Sequence, residues 1–337
     1  MFKKNTSHLQ IPLTSNVDEL PPQLRKRLDT SWSGVFYREN FCRLDETPFA
    51  VLFSVDPSRP NVPVNRLVSL EQMKAKKGWS DEEMYDAFCY DLQVRYALGL
   101  RQLGEGHFDL RTVYYFRERV SRHMQENGEN LLDKAFEQVT DEQIGFYDLK
   151  TGRQRMDTGQ IASNIRAMGR LQLLVEVLQR VHRMLTEEDK VHYAEMFAPY
   201  IKGHAGQYVY RIKGQDTSEH LQKIGEVMQQ LLVELQPGYG EEPAYQMFER
   251  VFGEHYRVEE KVLKVKVDKE LSANSLQSPD DLEATFRQKN KKSYKGYVVN
   301  LTETCDPDNN LQLITKVQVA SNNTEDADLL VEALPNL

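Results

Sequence analysis

Between positions 63 and 125 apolar residues recur at helical spacing, and the polar residues among them mark where each helix starts and stops. Leu67, Leu70 and Met73 fall on one helical face. Ser80 followed by Glu83 is a capping-box pattern that opens a second helix, along which Met84, Ala87, Phe88, Leu92 and Tyr96 keep helical spacing as far as Gly99. A third helix, from Thr112, turns Val113, Phe116 and Val120 inward and leaves Arg117, Arg119 and Arg122 pointing outward. Ahead of these, residues 1–58 form a leader rich in proline and aromatic residues, with one short helix over 17–28. Three short helices with basic residues on the last suit a helix-turn-helix-like DNA-binding unit; a helical bundle with a solvated face has the same pattern.

The pattern changes after Gly145. In FYDLKTGRQRMDTGQI the apolar runs are short and Lys150 to Gly152 reads as a turn, which predicts a strand carrying Asp157 near its end. A long helix is expected over 162–185, with Ile165, Met168, Leu171, Val175, Leu178 and Leu185 as its buried stripe and Arg166 and Arg170 on one edge. Further helices are expected over 187–200, 217–235 and 242–252. Alternation returns in YVVNLTET and LITKVQVA, joined by DPDNN, which predicts an antiparallel hairpin. A last helix follows Thr324 and contains Leu329, Leu330 and Leu334.

Composition adds a class. At 337 residues, with 40% hydrophobic and 28% charged residues, the chain reads as a globular protein of two domains. No apolar stretch has the length of a signal core or a membrane span, so a cytoplasmic protein without a membrane partner is expected. Cys42, Cys89 and Cys305 are too scattered for a zinc or redox motif and read as reduced thiols. The net charge of -8 argues weakly against nucleic acid, but the basic residues are clustered. Arg59, Arg66, Lys74, Lys76 and Lys77 face only Glu71 over 59–77, and Arg111, Arg117, Arg119 and Arg122 face only Glu118 in the next cluster. Arg287, Lys289, Lys291, Lys292 and Lys295 have no acid among them, and this segment, 284–296, is expected to be a flexible basic loop lying along DNA.

Asp157 stands among Arg153, Arg155 and Arg166, and two roles fit it: a cap for the following helix, or the first ligand of a metal site. Here a resemblance bears on the choice. VPVNRLVSLEQMKAKKGWSDEEMYDAFCYDLQVRYALGL, FDLRTVYYFRERV, MDTGQIASNIRAMGRLQLLVEVLQRVHRML and SPDDLEATFRQKNKKSYKGYVVNLTE occur in this order. Together they resemble the DDE transposases of bacterial insertion sequences, in the group with an InsH-type N-terminal domain.

The resemblance implies a mainly α N-terminal DNA-binding domain followed by an α/β RNase H-like domain with a large helical insertion. On this reading residues 1–58 are a leader, 59–125 the DNA-binding domain, 126–145 a helical linker and 146–337 a partial catalytic domain with its insertion at about 162–255. In such enzymes three carboxylates hold two Mg2+ or Mn2+ ions about 3.5–4 Å apart for DNA hydrolysis and strand transfer. Asp157 matches the first carboxylate. The expected DNA-binding residues are Arg66, Arg111, Arg117, Arg119, Arg122, Arg287, Lys289, Lys291, Lys292 and Lys295, and the expected partners are double-stranded transposon ends and a second copy or a full-length transposase.

The chain departs from the family pattern in two places. Thr158 and Gly159 stand where the family commonly has Ser-Thr. No Asp-Gly-Gly motif for the second carboxylate, nor a third carboxylate, is found before Leu337. Asp306 and Asp308 read as turn residues, and Asp326 and Asp328 as acids in the first turn of a helix. A catalytically incomplete transposase portion, which binds DNA without cutting it, is the reading that follows; a non-catalytic regulator that occupies transposon ends is the alternative. Leu329, Leu330 and Leu334 would then be left partly exposed.

Overall fold

Four helix starts in the first part of the chain are set by side chains that accept free N–H groups: Ser31, Ser80, Asp91 and Asn130. The computed structural model describes residues 1–10, 15–56, 59–102, 104–163, 168–289 and 291–333. These contain helices α1 Pro22–Thr30, α2 Trp32–Phe36, α3 Val64–Lys77, α4 Asp81–Tyr90, α5 Leu92–Ala97, α6 Arg111–Asn127 and α7 Leu131–Tyr147, then strand β1 Gln154–Ala162. Helices α8 Arg170–Met184, α9 Glu187–His192, α10 Ala194–Phe197, α11 Ala205–Tyr210, α12 Thr217–Tyr239 and α13 Pro243–His255 follow. Strands β2 Tyr256–Glu259, β3 Val262–Val265, β4 Thr285–Lys289, β5 Lys292–Thr304 and β6 Ile314–Ser321 precede helix α14 Asp326–Ala333. The protein is therefore a predominantly helical α/β chain with a small antiparallel sheet. It divides into two compact units, residues 1–155 with 303–316 and residues 156–302 with 317–337.

In the first unit, the Ser80 and Glu83 capping box is present at the start of α4. The helix expected to continue to Gly99 is instead broken in two, because the Asp91 carboxylate accepts the N–H groups of Gln93 and Val94 and starts α5. Helix α3 is buried on several sides, through Val64, Leu67, Val68, Leu70 and Met73. Around it close Phe41 and Phe49 from the leader, Met84, Phe88, Val113 and Phe116 from α4 and α6, and Leu131, Ala135 and Val139 from α7. Leader and linker are thus parts of one core with the expected DNA-binding segment. Glu46, 1% exposed, ties them together by accepting the backbone N–H groups of Asn5 and Asn65. Residues 305–313 turn as expected: Asp306 accepts the Asp308 N–H, and Asp308 pairs with Lys150.

The second unit is built on α8, α12 and α13, whose Leu174, Val175, Leu178, Val181, Ile224, Met228, Leu231, Phe248 and Val251 form one core. Helix α8 starts at Arg170, later than expected; Arg166 and Ile165 lie outside the described residues, and Met168 precedes the helix. The β2–β3 hairpin, which the hydrophobic pattern did not announce, packs on α12 where Gly225 leaves room for Tyr256 and Leu263. In the sheet, β5 pairs with β1, β4 and β6. Ser163 N–H bonds to Lys295 O and Cys305 N–H to Arg153 O, so β1 runs antiparallel to β5.

Two expectations are corrected here. Within 284–296, residues 285–289 and 292–296 are not a flexible loop but the paired strands β4 and β5, in register from Thr285 opposite Gly296 to Lys289 opposite Lys292, and residue 290 lies outside the described residues. Leu329 is not exposed; α14 buries it at 1%, and its carbonyl accepts from Gln318, which also accepts from Asn300. Leu330 is 43% exposed, and Leu334 lies outside the described residues.

Two predictions follow from this packing. Gly296 holds φ +142, and a Cβ there would overlap the Ile161 carbonyl and the Ser163 amide. Gly296→Ala should destabilise the protein by about 2–3 kcal/mol, read as a lower urea midpoint; an unchanged midpoint would refute this packing. His255, 3% exposed, has no partner for either ring nitrogen among the described residues. Burial, then Arg170 and Lys266, push its pKa down to about 4 from 6.5. The unfolded chain therefore takes up this proton first. Stability from the neutral ring is complete above pH 6.5 and is lost as pH falls toward 4, by about 3 kcal/mol. In urea titrations at pH 7.5 and 4.5, His255→Phe should remove that part of the fall; the same fall in both proteins would contradict it.

Candidate nucleic-acid interface

Asp157 is the fourth residue of β1, in a strand whose exposure alternates. Its cap role is excluded by distance along the chain, since α8 begins at Arg170 with Gly169 in the cap position. Arg155 pairs with Glu303, and Gly159 lies against Val299, so Asp157 shares the less buried face of β5. The opposite face, with Val298, Asn300, Thr302 and Thr304, is buried. Asp157 itself is exposed and makes no ion pair among the described residues. No group of three His, Cys, Asp or Glu residues comes together among the described residues, so these side chains do not build a two-ion site around it.

The basic residues of the hairpin divide by position. Arg287 donates to the carbonyls of Asn322 and Thr324, and Lys295 donates to Met168 O at 3.2 Å, so both are held by their own unit. Burial depresses the Lys295 pKa. Lys289, Lys291 and Lys292 are exposed at the tip and have no acidic partner among the described residues. Lys289 stands directly opposite Lys292, and Lys291 adopts φ +63. Like charges opposed across a strand pair repel one another, and an anion brought to the tip relieves the repulsion.

In the first unit the expected arginines also part company. Arg117 is taken up by the fold: its guanidinium bonds to Glu71 at 2.8 Å and Asp81 at 2.6 Å, joining α6 to α3 and α4. Hydrogen bonding from Arg117, together with Lys74, pulls the Asp81 carboxyl far below the usual carboxylate range. Arg66 is buried at 8% exposure. Arg111, Arg119 and Arg122 are exposed; Arg122 pairs with Glu118 one helical turn away, and Arg119 lies over the Phe53 ring at 5.4 Å. Arg95, in the RYALGL motif, is a loop clamp that donates to the carbonyls of Phe88, Gln102 and Glu105. Phe53 and Arg59, which line a cleft with Arg66, Tyr115 and Arg119, were not legible as one site, because residues so far apart share no periodicity.

Comparison with known proteins identifies no relative: no family model, no curated protein and no solved structure matches the chain.

The fold separates arginines bonded within it from arginines exposed to solvent. Arg117→Ala should leave Glu71 and Asp81 without their shared cation and lower stability by about 1–2 kcal/mol, whereas Arg119→Ala and Arg122→Ala should stay within about 0.5 kcal/mol. The Arg117 contribution should vanish in acid, because the depressed Asp81 carboxyl stabilises the fold above pH 4 and ceases to do so as it is protonated. Equal thermal midpoints for the three variants at pH 7 would show that Arg117 does not bridge these helices.

Proposed function

We propose that the protein binds duplex DNA as part of a DDE-type transposase, with Asp157 as the first carboxylate of an RNase H-like sheet. The observation that carries the reading is the β4–β5 hairpin, which carries at its tip three lysines with no acidic partner among the described residues, in the same unit as Asp157. The order of the four sequence stretches supports the family, and the open face of β1 supports access of DNA to Asp157. Along β5, Lys292 and the residue beside Asp157 are nine positions apart if the pairing of β1 continues unbroken, at most roughly 30 Å at 3.3 Å per residue. That is close to one turn of duplex, about 34 Å, so the hairpin would grip DNA flanking the phosphate presented to Asp157.

A single carboxylate holds Mg2+ only weakly without further donors, and the described residues supply no such group. The proposal therefore assigns this chain DNA binding and derives no cleavage step. In the first unit Arg111 and Arg119 are exposed without an acidic partner among the described residues and form the basic surface there, with Arg117 holding the helix that carries them, while Arg287 and Lys295 hold the hairpin within the second unit.

Phosphate contacts release counterions, so affinity should fall steeply with salt. Replacing Lys289, Lys291 and Lys292 by Ala should weaken binding to every duplex sequence and flatten the plot of log K against log salt by about 2–3, at about 0.9 for each lost contact. Fluorescence anisotropy across a salt series measures this. A slope unchanged by the triple substitution would remove the hairpin from the interface, and absence of binding at low salt would remove the DNA reading altogether.

A further inference from the structure

Arg66, on the first turn of α3, presents a physical problem. It is buried, yet among the described residues it makes no ion pair, its guanidinium donates to Ser7 Oγ at 3.3 Å, and its Nε has no partner. Glu46 and Glu105 offset part of its charge from a distance, but neither hydrogen-bonds to it among the described residues: Glu46 accepts the N–H groups of Asn5 and Asn65, and Glu105 Oε1 those of Arg101 and Gln102. A buried guanidinium met so incompletely is costly to keep, and an anion arriving from solvent would offset that cost.

The route to solvent is a cleft of about 610 Å³ in the first unit, onto which Arg66 opens. Its walls carry Arg59, Arg119, Phe53 and Tyr115. Arg119 lies over Phe53 and donates to Leu52 O at 3.5 Å with no acidic partner among the described residues, and Tyr115 is 58% exposed. Asp109 is the acid on the wall among the described residues, and its Oδ1 already accepts the Arg111 N–H at 2.8 Å. Guanidinium groups suit a phosphate, and exposed aromatic and guanidinium planes suit the face of a base. The volume is that of a small-ligand site and does not admit a duplex.

We propose that this cleft receives one unstacked nucleotide, its phosphate toward Arg66, Arg59 and Arg119 and its base against Tyr115. The inference builds on the DNA-binding reading, because a strand whose terminal or bulged nucleotide is already unpaired can present it at the lowest cost. A free nucleoside monophosphate offers the same chemistry, and the test separates the two sources.

The full chain is titrated by fluorescence anisotropy against a fully paired duplex and the same duplex with one bulged adenosine, and by calorimetry against dAMP. The bulged duplex is expected to bind about five-fold or more tightly than the paired one, the size of one base–aromatic stack, and Tyr115→Ala to erase that difference without weakening the paired duplex. Arg66→Met should also erase it while leaving the thermal midpoint equal or higher, since it removes an incompletely met buried charge. Equal affinity for both duplexes, insensitive to Tyr115→Ala, overturns the inference and leaves DNA binding standing. Tyr115-dependent binding of dAMP without binding of either duplex keeps the nucleotide site and removes the DNA reading. A large loss of stability in Arg66→Met, with the preference for the bulge retained, shows Arg66 to be structural and overturns its assignment.

Discussion

A guanidinium group removed from water must be met by oxygen atoms, and much of this structure follows from how that demand is satisfied. Arg95 gathers three carbonyls and closes the loop after α5. Arg117 draws Glu71 and Asp81 together and so fixes α6 against α3 and α4. In the second unit Arg170 donates to the carbonyls of Lys266 and His255, holding the start of α8 to the end of α13 and to the residue just after β3. Hydrogen bonds to charged groups are worth about 1.5–3 kcal/mol each, and breaking one from the acceptor side leaves a desolvated charge, so these clamps set the positions of the helices they join.

The groups that escape this rule carry the functional argument. Arg66 is buried with a single neutral oxygen as its acceptor among the described residues. Lys289 and Lys292 are opposed across a hairpin with no acid between them. Asp157 is exposed on a strand where neighbouring Arg155 has already found Glu303. In a chain of net charge -8, cations left without an acidic partner among the described residues while acids are plentiful are the basis on which we propose a polyanionic partner.

Much of the helical part was legible in the sequence. Leu67, Leu70 and Met73 are on the buried side of α3, Ser80 and Glu83 form their capping box, and Asp326 and Asp328 sit in the first turn of α14. What periodicity could not reveal was long-range. The break at Asp91 depends on a side chain choosing two backbone N–H groups over a continued helix. The β4–β5 hairpin was hidden because RQKNKKSYK lacks apolar alternation, and its register comes from pairing rather than from burial. Net charge counted Arg66, Arg117, Arg119 and Arg122 alike, although the fold buries the first, bridges helices with the second, and leaves the last two at the surface, Arg122 paired with Glu118 on its own helix. Asp157 stood out by composition alone, and its place on an open strand removes the cap while leaving its chemistry to experiment.

The central claim is that unpaired cations mark the contact with a polyanion and paired ones do not. Lysine acetylation read by mass spectrometry, with and without duplex DNA, tests it residue by residue. Lys289, Lys291 and Lys292 should react readily in the free protein and become protected by DNA, while Lys134 and Lys223, paired with Glu129 and Glu219, should react alike in both. Protection of Lys134 and Lys223 with no change at the hairpin tip would contradict the account.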